Sequence, residues 1–249
     1  MKRINPCLNN KMSVRTGFIN TSVFEILQEG VSTVGCIQQD GIDTYPMLGL
    51  LLQSVFLRMT GFEEQKLRNI CWEVATLDLD YRYNTLQGRV SYGEFSSLDD
   101  KKNVYLLLKD KIKEYGGELD LDSKKSTMLK SVKDEMSSVF NGSLIARSFP
   151  SDYHQFEIYF KTWKAEHFAL GGQLLGGTIE HVYKALFKQR NRGAHNTLSY
   201  QQDAITLSEM QDSQMSNCNY FSYFAILLLL DKVFIETFNV FKETYGMRM

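Results

Sequence analysis

The stretch Lys184-Ala-Leu-Phe-Lys-Gln-Arg190-Asn191-Arg192-Gly193-Ala194-His195-Asn196 gathers the residue types that phosphate chemistry needs. Breaking an RNA phosphodiester by attack of the 2′-hydroxyl takes a base for the hydroxyl proton, a cation on the non-bridging oxygens and an acid for the leaving 5′-oxygen. Histidine is the side chain whose ordinary pKa lets it serve as base or acid near neutral pH, which gives His195 that part. Arg190 supplies a permanently charged planar fork that fits phosphate, and Asn191 can orient the imidazole or the substrate. Such a site calls for no metal ion, and no cofactor is expected. Lys184, Lys188 and Arg192 surround the motif and are the candidate substrate-binding cations. The same cluster is also what a solvated helix end carries, because cations favour helix C-termini. Were the motif to open a helix, the free backbone N–H groups near Gly193 and Ala194 would add to the attraction for phosphate.

The pattern Arg190-Asn191-x-x-x-His195 resembles the Arg-Asn-x-x-x-His motif of the HEPN superfamily, whose members are mostly small α-helical, metal-independent ribonucleases. The resemblance covers the motif and the helices on either side of it, roughly the last hundred residues. It implies catalytic roles for Arg190, Asn191 and His195, with RNA as the substrate and a cyclic phosphate as product. It also implies a homodimer, in which two motifs face each other across a two-fold axis and between them supply base and acid; an isologous interface brings identical patches together by construction. Toxin or antiviral defence systems, with an antitoxin or other regulatory partner, are the setting it points to. One HEPN toxin group carries a modifiable tyrosine two residues after the histidine; Thr197 stands there in this chain. The alternatives are a catalytically silent module that binds RNA or a partner protein, and an assembly subunit whose apolar helices are docking surfaces, since a fold does not fix a function.

A site of this kind needs a rigid scaffold, and the composition can build one. The chain has 249 residues, 43% hydrophobic and 23% charged, enough for a sizeable core. Its net charge of −1 excludes a protein that coats nucleic acid through bulk electrostatics, so RNA contact must be a local patch. Cys7, Cys36, Cys71 and Cys218 are scattered without a Cys-x-x-Cys pair, which argues against a zinc site or a disulfide framework and makes a reducing cytoplasm the default. The N-terminus runs into polar residues where a signal peptide would have an apolar core.

The expected architecture is all-α: a HEPN-like helical bundle over 44–249 and a small, partly extended N-terminal element over 1–43. Val23 to Gly30 reads as strand or short helix. Pro46 opens a helix carrying Leu48, Leu51, Leu52, Val55, Phe56 and Met59, which Gly61 would end. A second helix follows through Leu67, Ile70, Val74, Leu77 and Tyr81, antiparallel to the first. Gly88 to Gly93 reads as loop. Helices from Leu98 to Gly116-Gly117 and through Met128, Val132, Met136 and Val139 form a charge-rich middle section, expected as an insertion around 98–142 on the outside of the bundle. From Pro150 an apolar stripe runs through Tyr153, Phe156, Phe160, Trp163, His167, Leu170 and Leu174 and on through Ile179, Val182, Leu186 and Phe187, predicting one long helical stretch into the motif. Tyr200 to Met210 reads as a short helix. Tyr220 to Tyr245 is the most apolar helix, with an uninterrupted run too short to cross a bilayer, so it is expected at the bundle centre and no membrane partner is expected.

Two look-alikes are set aside. Gly171-Gly-Gln-Leu-Leu-Gly176-Gly177-Thr178 is one residue from a phosphate-binding loop, but Gly177 stands where the lysine belongs and a helix is expected before it. His154, His167 and His181 lack the spacing of metal ligands on one helix face. His167 falls on the apolar stripe as a core histidine with one hydrogen bond, and His181 is a secondary contact to the motif at most.

Overall fold

The computed structural model describes residues 14–34, 44–87, 95–195 and 218–248, and they are almost entirely helical. The loop expected at 88–93 and the short helix expected at 200–210 lie outside the described residues.

Ten helices are described: α1 (Val14–Asn20), α2 (Phe24–Val34), α3 (Tyr45–Leu77), α4 (Leu79–Leu86), α5 (Leu98–Glu114), α6 (Asp122–Phe140), α7 (Leu144–Ser148), α8 (Pro150–Phe160), α9 (Gly177–His195) and α10 (Tyr220–Arg248). A hairpin of β1 (Phe168–Leu170) and β2 (Gln173–Leu175) separates α8 from α9. The centre is α10. Every residue from Phe221 to Asp231 is buried, because α3, α5, α6, α8 and α9 all pack along this helix, and a helix apolar on all sides is stable only when surrounded. No helix among the described residues is long and apolar enough to cross a membrane.

Four expectations are corrected. The N-terminal element is helical where it is described: α1 and α2 lie on α3, burying Ile19, Leu27, Val31 and Val34. A Cβ on Gly30 would run into Val55, so the glycine sets how closely α2 approaches α3.

Gly61 does not end a helix. The segments on either side of it form one helix, α3, of 33 residues, about 50 Å long. A mid-helix glycine costs backbone entropy, but packing against α1, α2, α9 and α10 outweighs a local preference of that size. A Cβ at Gly61 would meet nothing within 4 Å. Gly61→Ala is therefore expected to raise stability by about 0.5–1 kcal/mol, seen as a higher urea midpoint at unchanged slope.

The middle section lies against the centre, not on the outside. Its helices α5 and α6 pack on α10 through Val104, Leu108 and Ile112 and through Val132, Met136 and Phe140, all buried. α5 begins at an Ser97 cap, whose hydroxyl accepts from the Asp100 N–H, and stops at Gly116, whose φ of +84° suits a residue without a side chain.

The long stretch from Pro150 is broken. α8 stops at Phe160, a 3-10 turn spans Ala165–His167, and β1 and β2 pair antiparallel, Phe168 opposite Leu175, around Gly171-Gly172. The expected stripe ran through His167, Leu170 and Leu174, whereas the hairpin buries Phe168, Leu174 and Leu175 and leaves His167 and Leu170 half-buried, so a three- and four-residue spacing over so few positions did not separate helix from strand. The segment before Gly176-Gly177 is thus strand where helix was expected, but the missing lysine still argues against phosphate binding there. Gly177 has φ +56°, and a Cβ on it would come within 3.0 Å of the His167 ring. His167 is half-buried, with Nδ1 3.1 Å from the Thr178 hydroxyl.

Candidate active site at the end of the ninth helix

α9 is amphipathic. Ile179, Val182, Tyr183, Ala185 and Leu186 are buried against the bundle, and the Tyr183 hydroxyl fixes the helix by donating to the Ser96 carbonyl at 2.8 Å. His181, Lys184 and Lys188 lie on the solvent side at three- and four-residue steps. His181 stands two and a half turns, about 13 Å, before Arg190, farther than a secondary contact to the motif requires.

The motif occupies the C-terminal end of α9 and not the start of a helix. The N–H groups of Gly193 and Ala194 accordingly point back along the helix, at its electronegative end, and add nothing to phosphate attraction. Any attraction for phosphate here would have to come from cationic side chains.

Arg190 is held in place. Nη2 lies 2.9 and 3.1 Å from the two carboxylate oxygens of Glu64 on α3, and Nη1 donates to Asn191 Oδ1 at 3.2 Å. The pair is mostly sheltered, with side chains 19% and 16% exposed, so water weakens it less than it would a surface pair. Guanidinium has five donors, and these contacts leave Nε–H unengaged among the described residues.

The other cations differ from one another. Lys184 is exposed but matched by Glu180, 2.6 Å away. Lys188 is exposed. Arg192 is half-buried and donates to Gln189 at 3.0 Å; Gln189 in turn donates to the Tyr220 hydroxyl at 3.3 Å, tying the end of α9 to the start of α10. The three therefore do not form one open cationic patch.

His195 is the last residue of α9, and its side chain lies outside the described residues. Positions five apart on an α-helix are about 140° apart around the axis, so the helix does not stack position 195 over position 190. Asn191, four residues before the histidine, shares its face.

The end of α9 crosses α3. A Cβ on Gly193 would sit 3.2 Å from Gln53 and 3.7 Å from Leu57. About one and two turns nearer the start of α3, Leu50 and Met47 are 66% and 44% exposed, an apolar ledge beyond the point where α9 stops.

Glu64 is the site residue that sequence reasoning missed. It stands 126 positions from its partner, in a helix whose apolar residues alone carried the periodicity. A charged pair at its own level, Glu63-Glu64, is ordinary helix surface until the fold brings α9 over it. No family model matches the chain, and no match to it is found among curated proteins or solved structures.

Proposed function

We propose that the chain is a HEPN-like endoribonuclease that works as a homodimer and needs no metal ion. The observation that carries this reading is the clamp on Arg190: Glu64 and Asn191 fix its guanidinium at the end of α9, with an N–H to spare, on the same helix as His195. A guanidinium fixed in advance binds a phosphate oxygen without losing further side-chain freedom.

The chemistry then follows from the groups. The ribose 2′-hydroxyl attacks phosphorus, one imidazole takes its proton, and the bond from phosphorus to the 5′-oxygen breaks. A second imidazole donates the proton that the departing oxygen needs, leaving a 2′,3′-cyclic phosphate and a 5′-hydroxyl. Arg190 offsets the charge gathering on the non-bridging oxygens. One chain carries one motif, so the second imidazole is the partner copy's. The ledge of Met47 and Leu50 beside the end of α9 is the surface that a two-fold contact would bury. The resemblance in the motif supports a toxin or antiviral defence system as the setting of such an activity.

A second reading has an observation of its own. Glu64 already occupies one edge of the Arg190 fork, as it would if the pair only fastened α9 to α3 in a silent RNA- or protein-binding module. Incubation with total RNA in excess EDTA separates the two. The nuclease is expected to yield fragments ending in 2′,3′-cyclic phosphate; intact RNA at every protein concentration leaves the silent module.

A further inference from the structure

A cleft of about 370 Å³ opens between α6 and α8, within the range of roughly 300–1,000 Å³ usual for small-molecule sites. Lys130 and Lys133 of α6 stand on one side, Tyr153 and Phe156 of α8 on the other, with Lys161 and Trp163 just beyond α8. Its aromatic wall is continuous: ring centroids step 6.1 Å from Tyr153 to Phe156, 5.6 Å to Phe160 and 4.9 Å to Trp163.

Two properties distinguish this cleft. Lys130, Lys133 and Lys161 are exposed, and none has an ion-pair or hydrogen-bond partner among the described residues. Glu157 is the sole acid among the lining residues and has His154 4.0 Å away. The neighbouring cleft beside Asp231 differs, because its lysines are neutralised from within: Lys124 pairs with Glu236 and Lys232 with Glu135. Second, Trp163 is only 6% exposed, yet its indole N–H has no acceptor among the described residues, and a buried orphan donor at a cleft wall is a group that a ligand can satisfy.

We propose that this cleft binds a nucleotide unit, with the base against the wall from Tyr153 to Trp163 and the phosphate among Lys130, Lys133 and Lys161. Aromatic faces accept any base by stacking, and unpaired ammonium groups attract phosphate. An anion without a ring would leave the wall unused, and a neutral aromatic would leave the lysines unused. The unit is either a free mononucleotide or one nucleotide of an unpaired RNA strand. The assignment stands on residues other than Arg190 and His195 and does not rest on the cleavage reaction.

The chain has two tryptophans, so in a Trp72→Phe background Trp163 alone reports on the cleft. Adenosine 5′-monophosphate and a single-stranded oligoadenylate of six residues are each titrated against its emission. Saturable quenching is expected, and Lys130→Ala with Lys133→Ala, both at exposed positions, should weaken it about tenfold or more at an unchanged melting temperature. Tighter binding of the hexamer assigns the site to a strand, and equal affinity assigns it to the mononucleotide. No saturable change with either probe overturns the proposal. So does an equal affinity for ribose 5-phosphate, or an unaltered affinity in the lysine variant.

Discussion

His195→Ala is expected to lower the rate of RNA cleavage by about 10²–10⁴-fold, the contribution of a positioned proton-transfer group, while RNA binding and folding persist. His195 is the terminal residue of α9, so shortening its side chain removes no element of the bundle. The wild-type rate should rise and fall with pH as one imidazole must be neutral and the other protonated, and the variant should lose that profile. Equal cleavage by His195→Ala would remove the nuclease reading, because no other histidine stands near the motif in sequence. Arg190→Lys makes a useful companion. An ammonium cannot reach Glu64 and Asn191 as a planar fork does, so this substitution tests the clamp and not the charge.

Lys66→Met is expected to destabilise the protein by about 3–5 kcal/mol, the usual result of leaving one partner of a buried ion pair behind. Lys66 on α3 pairs with Asp231 on α10, and both side chains are 1% exposed. Lys66 also donates to the Thr21 carbonyl at 2.6 Å, and Asp231 accepts from the Val23 N–H at 3.0 Å. Burial presses the ammonium pKa down and the carboxyl pKa up, each against the pull of its partner. Without the lysine, burial, the largest influence on the carboxyl, still raises its pKa and is opposed only by the Val23 N–H and the charge of Lys232. A carboxyl whose folded pKa is raised stabilises the fold below its unfolded pKa and ceases to do so as pH rises through the folded value. The deficit of Lys66→Met should accordingly be greatest at neutral pH and shrink in acid. Urea melts at several pH values measure this; a deficit under about 1 kcal/mol at pH 7 would mean the pair is not held as charges.

The apolar spacing made α5, α6, α10 and both halves of α3 legible, since each presents at least one buried stripe at three- and four-residue steps. It failed where local and tertiary preferences part. Gly61 reads as a stop, yet nothing local decides between a stop and an exposed mid-helix glycine. His167, Leu170 and Leu174 continue a helical spacing, but two strands of three residues bury Phe168 and Leu175 beside Leu174 instead. Within the site, Arg190 and Asn191 are adjacent in sequence and stay adjacent in space, but the partners of Arg190 and Lys66 lie 126 and 165 positions away. Those charges look like solvated helix surface, and only the packing of α3 against α9 and α10 reveals that they are pairs.

Just over one turn of α3 fastens three other helices. Glu63 takes the buried Lys101 of α5, Glu64 takes Arg190 of α9, and Lys66 takes Asp231 of α10. Inserting one residue between Met59 and Glu63 would swing everything downstream by about 100° and unseat all three fastenings together. Length variation that natural or engineered versions of this chain accept belongs elsewhere, since these few residues act as the keyed shaft on which α9 is timed.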